Sequence, residues 1–213
     1  MKPRVAIFIH QPKCSVQSGN GIIHSLEPDF NFKIFTKHSV EKNFFNDVDM
    51  IAVPGGLGDA DTYKYLMREN QSRIRDFVDS GGRYLGICMG AYWAAKHYLD
   101  LLTAIDAVQY IKRPNTDTHR PHAKALDVTW QGQAEKMFFY DGCAIVGRGQ
   151  FDVTATYANG DAMAGYQGRI GLIGCHPESE PHWYTNYSYM KPYWHNGQHH
   201  KLLNQFAKDL MKR

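Results

Sequence analysis

No apolar run in this sequence approaches the roughly 20 residues a membrane-spanning helix needs, so a bilayer is not an expected partner. The opening run Val5-Ala6-Ile7-Phe8-Ile9 is short, gives way to polar residues and lacks a small-residue cleavage site, so it reads as a first buried strand, not a leader. Blocks of like charge are missing too. The 24 basic and 21 acidic residues are mixed along the chain for a net charge of +3, which offers no basic stripe to follow a phosphate backbone, and nucleic acid is not expected. Cysteine is scarce and scattered: Cys14, Cys88, Cys143 and Cys175 form no C-x-x-C pair. That excludes a disulfide framework and a thiolate zinc site, and a reducing cytoplasm becomes the expected compartment. There is no internal repeat and no low-complexity linker.

What is present is enough for one core. At 213 residues, with 43% hydrophobic and 21% charged residues, the chain has ordinary soluble composition, and a single domain over residues 1–213 is expected. In its first half, short apolar runs alternate with helical spacing. Val5–Ile9, Phe32–Phe35, Met50–Val53 and Tyr84–Ile87 read as strands, while Ile74, Phe77 and Val78 fall on one helical face. This alternation predicts a parallel sheet covered by helices, whose ligands sit beyond the carboxyl ends of the strands. After Gly90, the spacing of Ala91, Ala94, Ala95, Tyr98, Leu99 and Leu102 predicts a helix with one buried face. From about Leu126 to Cys175 the pattern changes to short β-branched and aromatic stretches separated by Gln-Gly, Asp-Gly and Asn-Gly, which predicts consecutive hairpins. Leu202, Leu203, Phe206, Ala207 and Leu210 mark a closing amphipathic helix.

Three predicted strand ends run into glycine or reactive residues. Gly86-Ile87-Cys88-Met89-Gly90 has the form of an elbow between strand and helix: the sharp bend strains the central residue, the flanking glycines make room, and the sulfur projects outward. A helix N-terminus following it would favour a thiolate. His176-Pro177-Glu178 can supply a base and its orienting acid, because proline keeps the preceding residue extended and side chains two apart in extended chain share a face. Pro54-Gly55-Gly56 would let backbone N–H groups approach a developing oxyanion, beside the N–H of Met89. Cys88, His176 and Glu178 are therefore the candidate catalytic residues, with Gly55, Gly56, Met89 and Tyr92 as candidate oxyanion and substrate-binding residues.

The order of strand–PGG, strand–GICMG–helix and strand–CHPE resembles the class I glutamine amidotransferase-like superfamily, with its Cys-His-Glu triad. More narrowly, Val53-Pro54-Gly55-Gly56, Gly81 to Tyr92, Ala155-Thr156-Tyr157-Ala158-Asn159-Gly160 and Gly174-Cys175-His176-Pro177-Glu178 resemble the amidotransferase-like N-terminal domain of biotin–protein ligases. The resemblance covers about residues 4 to 210 and implies a flavodoxin-like three-layer α/β sandwich: a mainly parallel central sheet, helices on both faces and an antiparallel hairpin extension. No ligase catalytic segment follows, so biotin transfer is not implied. Glutamine-using members typically carry G-x-C-x-G-x-Q, and here Tyr92 stands in place of that glutamine.

Two functions from different classes follow. One is a cysteine-nucleophile amidase or acyl-transfer enzyme acting on an amide C–N bond of a small molecule, with a synthetase partner in trans; the other is a non-catalytic or regulatory small-molecule-binding module. No cofactor is expected, and the sequence leaves the oligomeric state open, a homodimer being one option. The aromatic stretch 181–195 directly follows His176-Pro177-Glu178, so it either folds over the pocket to recognise a flat or sugar-like ligand, or packs on the protein's own surface or at a dimer contact. His195, His199 and His200 would bind a metal only on a helix, as would His119 with His122; Gly197 interrupts the first set and no acidic residue accompanies it, so no metal site is expected. Cys175 points away from His176 on a strand and reads as core.

Overall fold

The computed structural model describes residues 1–10, 16–56 and 59–213. In chain order the elements are β1 (Arg4–Phe8), α1 (Val16–Leu26), β2 (Asn31–Phe35), β3 (Met50–Val53), α2 (Ala60–Met67), α3 (Gln71–Asp79), β4 (Arg83–Ile87), α4 (Met89–Trp93) and β5 (Ile105–Gln109). They continue with β6 (Lys124–Trp130), β7 (Gln133–Phe139), β8 (Cys143–Gly147), β9 (Asp152–Tyr157), β10 (Ala162–Gln167), β11 (Ile170–Ile173), α5 (Pro181–Thr185) and α6 (Gln198–Met211).

The strands of the described residues join one sheet in the order β2-β1-β3-β4-β11-β10-β9-β6-β7, with β8 pairing β10 and β5 pairing β8 off this path. The first five strands of that order run parallel. Beyond β11 every pairing is antiparallel. The β2-β1-β3-β4 core has the flavodoxin-like order, which places a ligand at the carboxyl ends of its strands. Both faces of the parallel half are covered, and β1 shows why its sequence is continuously apolar: Val5 and Ile7 enter one core cluster with α1 and α6, while Ala6 and Phe8 enter the other with α2 and α4. Met50 to Val53 of β3 are fully buried in the same alternating way.

The antiparallel half is larger than a hairpin extension suggests. β6–β7, β9–β10 and β10–β11 are the expected hairpins, but Asp141-Gly142 does not close one, since β7 pairs β6 while β8 pairs β5 and β10. The helix expected from Ala91 to Leu102 is also corrected: α4 ends at Trp93. Leu99 N–H then bonds Trp93 O and Leu101 N–H bonds Ala94 O, so the chain buries the predicted face through successive turns that end at Asp100 with φ 54°. The apolar spacing was satisfied by packing without a continued helix.

The elbow depends on a close approach. Gly90 lies against β3 so tightly that a methyl group there would overlap the Val53 carbonyl. Backbone cannot yield as a flexible side chain can, so Gly90→Ala is expected to lower stability by at least about 2 kcal/mol in denaturant unfolding. A change within about 0.5 kcal/mol would show that the elbow is not pinned by this contact.

Candidate active site

Neighbouring strands β3, β4 and β11 end side by side, and the three motifs picked out by the sequence emerge there. Cys88 follows β4 directly, with φ 49° and ψ −104°. A non-glycine residue in this region is strained by about 1–3 kcal/mol and persists only where its surroundings hold it. Two bonds do so: Cys88 N–H donates to Ile173 O of β11 at 2.8 Å, and the buried Tyr84 hydroxyl donates to Gly90 O at 2.7 Å. The Cys88 thiol, 6% exposed, donates to Tyr140 O at 3.8 Å.

His176 follows β11, its own N–H donating to Phe138 O at 2.8 Å. Its Nδ1 lies 2.8 Å from Oε1 of Glu178, a carboxylate with no solvent exposure. Burial pulls the imidazole down, yet the Glu178 carboxylate and the charge and hydrogen bonding of Cys88 outweigh it, raising His176 to about 10. Cys88, His176 and Glu178 are thus brought together across the ends of two adjacent strands. Phe138 and Trp183 flank the imidazole with ring centroids at 5.9 and 5.3 Å.

The sequence reading missed Ser18. Placed by α1, its hydroxyl donates to Glu178 Oε1 at 2.6 Å and accepts from Gly55 N–H at 3.0 Å. No local motif announces a serine 160 residues from its partner, and α1, rich in glycine and serine, gave no helical signal. This bond also alters one expectation: the Gly55 N–H is committed to Ser18. Gly55 instead serves as the floor under the imidazole, where a Cβ would come 2.6 Å from His176 Cε1.

Cys88 and Gly56 border two cavities. The larger, about 780 Å³, runs past Met89 and Tyr92 to Gln109, Lys112, Tyr140 and Asp141. The smaller, about 280 Å³, is lined by Ser18, Gly55, His176, Phe138, Trp183 and Tyr187. Tyr92 donates its hydroxyl to Asp141 O at 3.1 Å, and burial followed by nearby Cys143 and Cys88 raises it well above the ordinary phenol, so it stays neutral. The aromatic stretch 181–195 divides. Trp183 and Tyr187 face the smaller cavity, whereas Tyr184 is buried, its hydroxyl bonded to that of Ser179 at 2.9 Å, and packs with Phe138 and Met190 in a small separate core. Cys143 and Cys175 are fully buried and burial pushes both thiols up. Cys14 lies outside the described residues.

Known proteins resemble the chain at two levels. The family "biotin-protein ligase, N terminal" matches residues 11–99, a span that contains Gly55, Gly56, Cys88, Met89 and Tyr92 and stops before His176. Among solved structures, PurLQS from Thermotoga maritima has a TM-score of 0.68 at 16% identity, covering 98% of this chain and 99% of that one. A glutamine amidotransferase has a TM-score of 0.66 at 17% identity, covering 98% and 99%. Another, from Thermotoga maritima, has 0.67 at 12% identity, covering 100% and 98%. No curated protein sequence matches the chain. No helix among the described residues is long and apolar enough to cross a membrane.

Two outcomes follow from this geometry. Iodoacetamide near neutral pH is expected to label Cys88 before Cys143 and Cys175, because Cys88 borders two cavities while the other two thiols are fully buried and held neutral; peptide mapping that finds Cys143 or Cys175 labelled first refutes this. The raised His176 also makes stability pH-dependent. A histidine raised from 6.5 to about 10 on folding contributes stability that is full below pH 6.5 and lost as pH rises through 10. The stability difference between wild type and His176→Ala should therefore shrink between pH 6 and 10 in denaturant unfolding, and a difference that grows over that interval contradicts the assignment.

Proposed function

Taking as premise that the chain has the glutamine amidotransferase fold and carries the biotin-protein ligase N-terminal pattern across its nucleophile elbow, we propose that it is a cysteine-nucleophile enzyme acting on the C–N bond of a small-molecule amide. The observation that carries this reading is the strained backbone at Cys88, φ 49°, at the junction of two cavities and beside the buried His176–Glu178 pair. A cysteine serving only the core needs neither the strain nor the partner.

The steps follow from the residues present. Cys88 attacks the acyl carbon as a thiolate beside protonated His176, and the carbonyl oxygen becomes an oxyanion that the N–H groups of Gly56 and Met89 would receive. His176 then gives its proton to the departing amine as the C–N bond breaks, leaving an acyl-thioester. Water then gives a proton to the now neutral His176 and attacks the thioester carbon; the C–S bond breaks, the acyl group leaves as the carboxylic acid, and the Cys88 thiolate is restored beside protonated His176. Glu178 holds Nδ1 of the imidazole and stabilises its charged form, while Ser18 fixes the carboxylate oxygen. A synthetase acting in trans, receiving the released amine, is the partner this reading carries.

Tyr92 favours a second reading. With its hydroxyl committed to Asp141 O, it stands where glutamine-using relatives typically carry glutamine, and it forms a wall of the larger cleft. On that reading the fold is a regulatory module binding a small molecule without turnover. Ammonia release from glutamine and from a panel of small amides separates the two, with an acylating probe on Cys88 where no amide turns over. Glu178→Gln is expected to slow acylation by on the order of 10² or more, less than Cys88→Ala or His176→Ala, and non-additively with them. If neither Glu178→Gln nor His176→Ala changes the rate, the enzyme reading falls and the binding module takes its place.

A further inference from the structure

Behind the Glu178 loop, three side chains from distant parts of the chain converge: His24 in the last turn of α1, Glu180 just before α5 and His200 in the first turn of α6. Their ligand atoms all lie within 4.8 Å of one another. His24 Nδ1 is 2.9 Å from Glu180 Oε1, and His200 Nε2 is 4.0 Å from that same oxygen. The two imidazole centroids are 5.0 Å apart. Glu180 supplies the acidic ligand that the sequence neighbourhood of His200 lacked, and His24 comes from the opposite end of the chain.

The geometry points to a three-ligand site for a borderline divalent transition metal such as zinc, made by His24, Glu180 and His200, with a fourth position open to water. Two imidazoles and a carboxylate suit zinc or cobalt and not magnesium or calcium, which prefer oxygen throughout. Around tetrahedral zinc, donors at about 2.0–2.1 Å from the metal lie about 3.3 Å from each other, so closure needs shifts of about 1.5 Å or less. His24, with 59% of its side chain exposed, is free to make most of that movement. Two bonds are at stake: His24 Nδ1 to Glu180 Oε1, whose two atoms would both become ligands, and His200 Nε2 to Ser179 O at 3.0 Å, whose loss leaves no orphan because His195 Nε2 meets the same carbonyl at 3.2 Å. A bound ion would tie α1 and α6 to the segment that carries His176 and Glu178, bracing the backbone behind the proposed site. None of this depends on whether Cys88 is a nucleophile.

The test uses the full chain, stripped of metal and titrated with zinc by calorimetry and with cobalt(II) by visible absorption. One equivalent should bind, and zinc at about 100 times its dissociation constant should raise the melting temperature by on the order of 5 °C. His24→Ala, at an exposed position, and Glu180→Gln, nearly isosteric, should each weaken binding more than about 100-fold, since even groups outside a coordination shell are worth about 10–100-fold. Cys88→Ala should bind as wild type does. The proposal is overturned by wild type that shows no saturable binding, by His24→Ala that binds zinc with wild-type affinity, or by loss of the equivalent in Cys88→Ala, which would put the ion on the Cys88–His176 pair instead. Should Glu180→Gln fail to fold, His24→Ala decides.

Discussion

The carboxylate of Glu178 has no contact with solvent, and a buried charge costs several kcal/mol unless it is paired and hydrogen-bonded. Everything around the strand ends is arranged to meet that cost. One oxygen takes both the His176 ring and the Ser18 hydroxyl, which requires α1 to lie against the loop after β11 and not merely over the sheet. Ser18 in turn fixes Gly55 through its N–H, and Gly55 has to be side-chain-free because the imidazole passes directly over it. The second oxygen, Oε2, has no hydrogen-bond partner among the described residues, so the negative charge is balanced through Oε1 alone. Against the cost of burial, the attraction of that carboxylate, joined by the charge and hydrogen bonding of Cys88, raises the imidazole.

Strain at Cys88 has a similar local origin. The bend at φ 49° is anchored from β11 by the bond of its own N–H to Ile173 O, and from β4 by the Tyr84 hydroxyl on Gly90 O. The first anchor continues the β4–β11 pairing and the second is a side-chain bond from β4 across the elbow, so the strain is offset by contacts on either side of the bend. The short length of α4 changes the electrostatic picture drawn from sequence. A five-residue helix contributes little axial dipole, so the imidazolium beside the sulfur is the larger positive influence on it.

The parallel half and the three reactive loops were legible because their signals are local. Val5 to Ile9, Met50 to Val53 and Tyr84 to Ile87 are apolar on both faces, and each of Gly55-Gly56, Cys88 and His176-Pro177-Glu178 announces itself within a few residues of a strand end. What stayed hidden was set by tertiary packing. α1 carries glycines at 19 and 21, and Gly21 lies beneath the Glu178 backbone, so its composition reflects a close approach and not helix propensity. β10 mixes small and polar residues because it pairs β9, β11 and β8 at a branch of the sheet, where period-two patterning breaks down, whereas β5 pairs β8 alone. The over-long helix after Gly90 erred in the opposite way: the apolar spacing was real, but tight turns satisfied it.

The two halves of the sheet contribute differently to the site. Strand ends of the parallel half hold Gly55, Gly56, Cys88, His176 and Glu178, which is where the proposed chemistry resides. The antiparallel half and its connections form the far wall of the larger cleft through Ala107, Val108, Gln109, Lys112, Tyr140 and Asp141. Arg113 in that wall is already neutralised by Asp161, bonded through Nε at 2.8 Å and Nη2 at 3.1 Å, so Lys112 is the cation whose side chain has no ion pair among the described residues. Tyr92 stands between the halves, rooted in α4 beside the elbow and bonded to the Asp141 backbone across the cleft. Tyr92 thereby links α4 to the far wall of the cleft by one neutral hydrogen bond. On the proposed reading, substrate is held by a wall from the antiparallel half that reaches the elbow through Tyr92, while the bond-breaking residues stand on the parallel half.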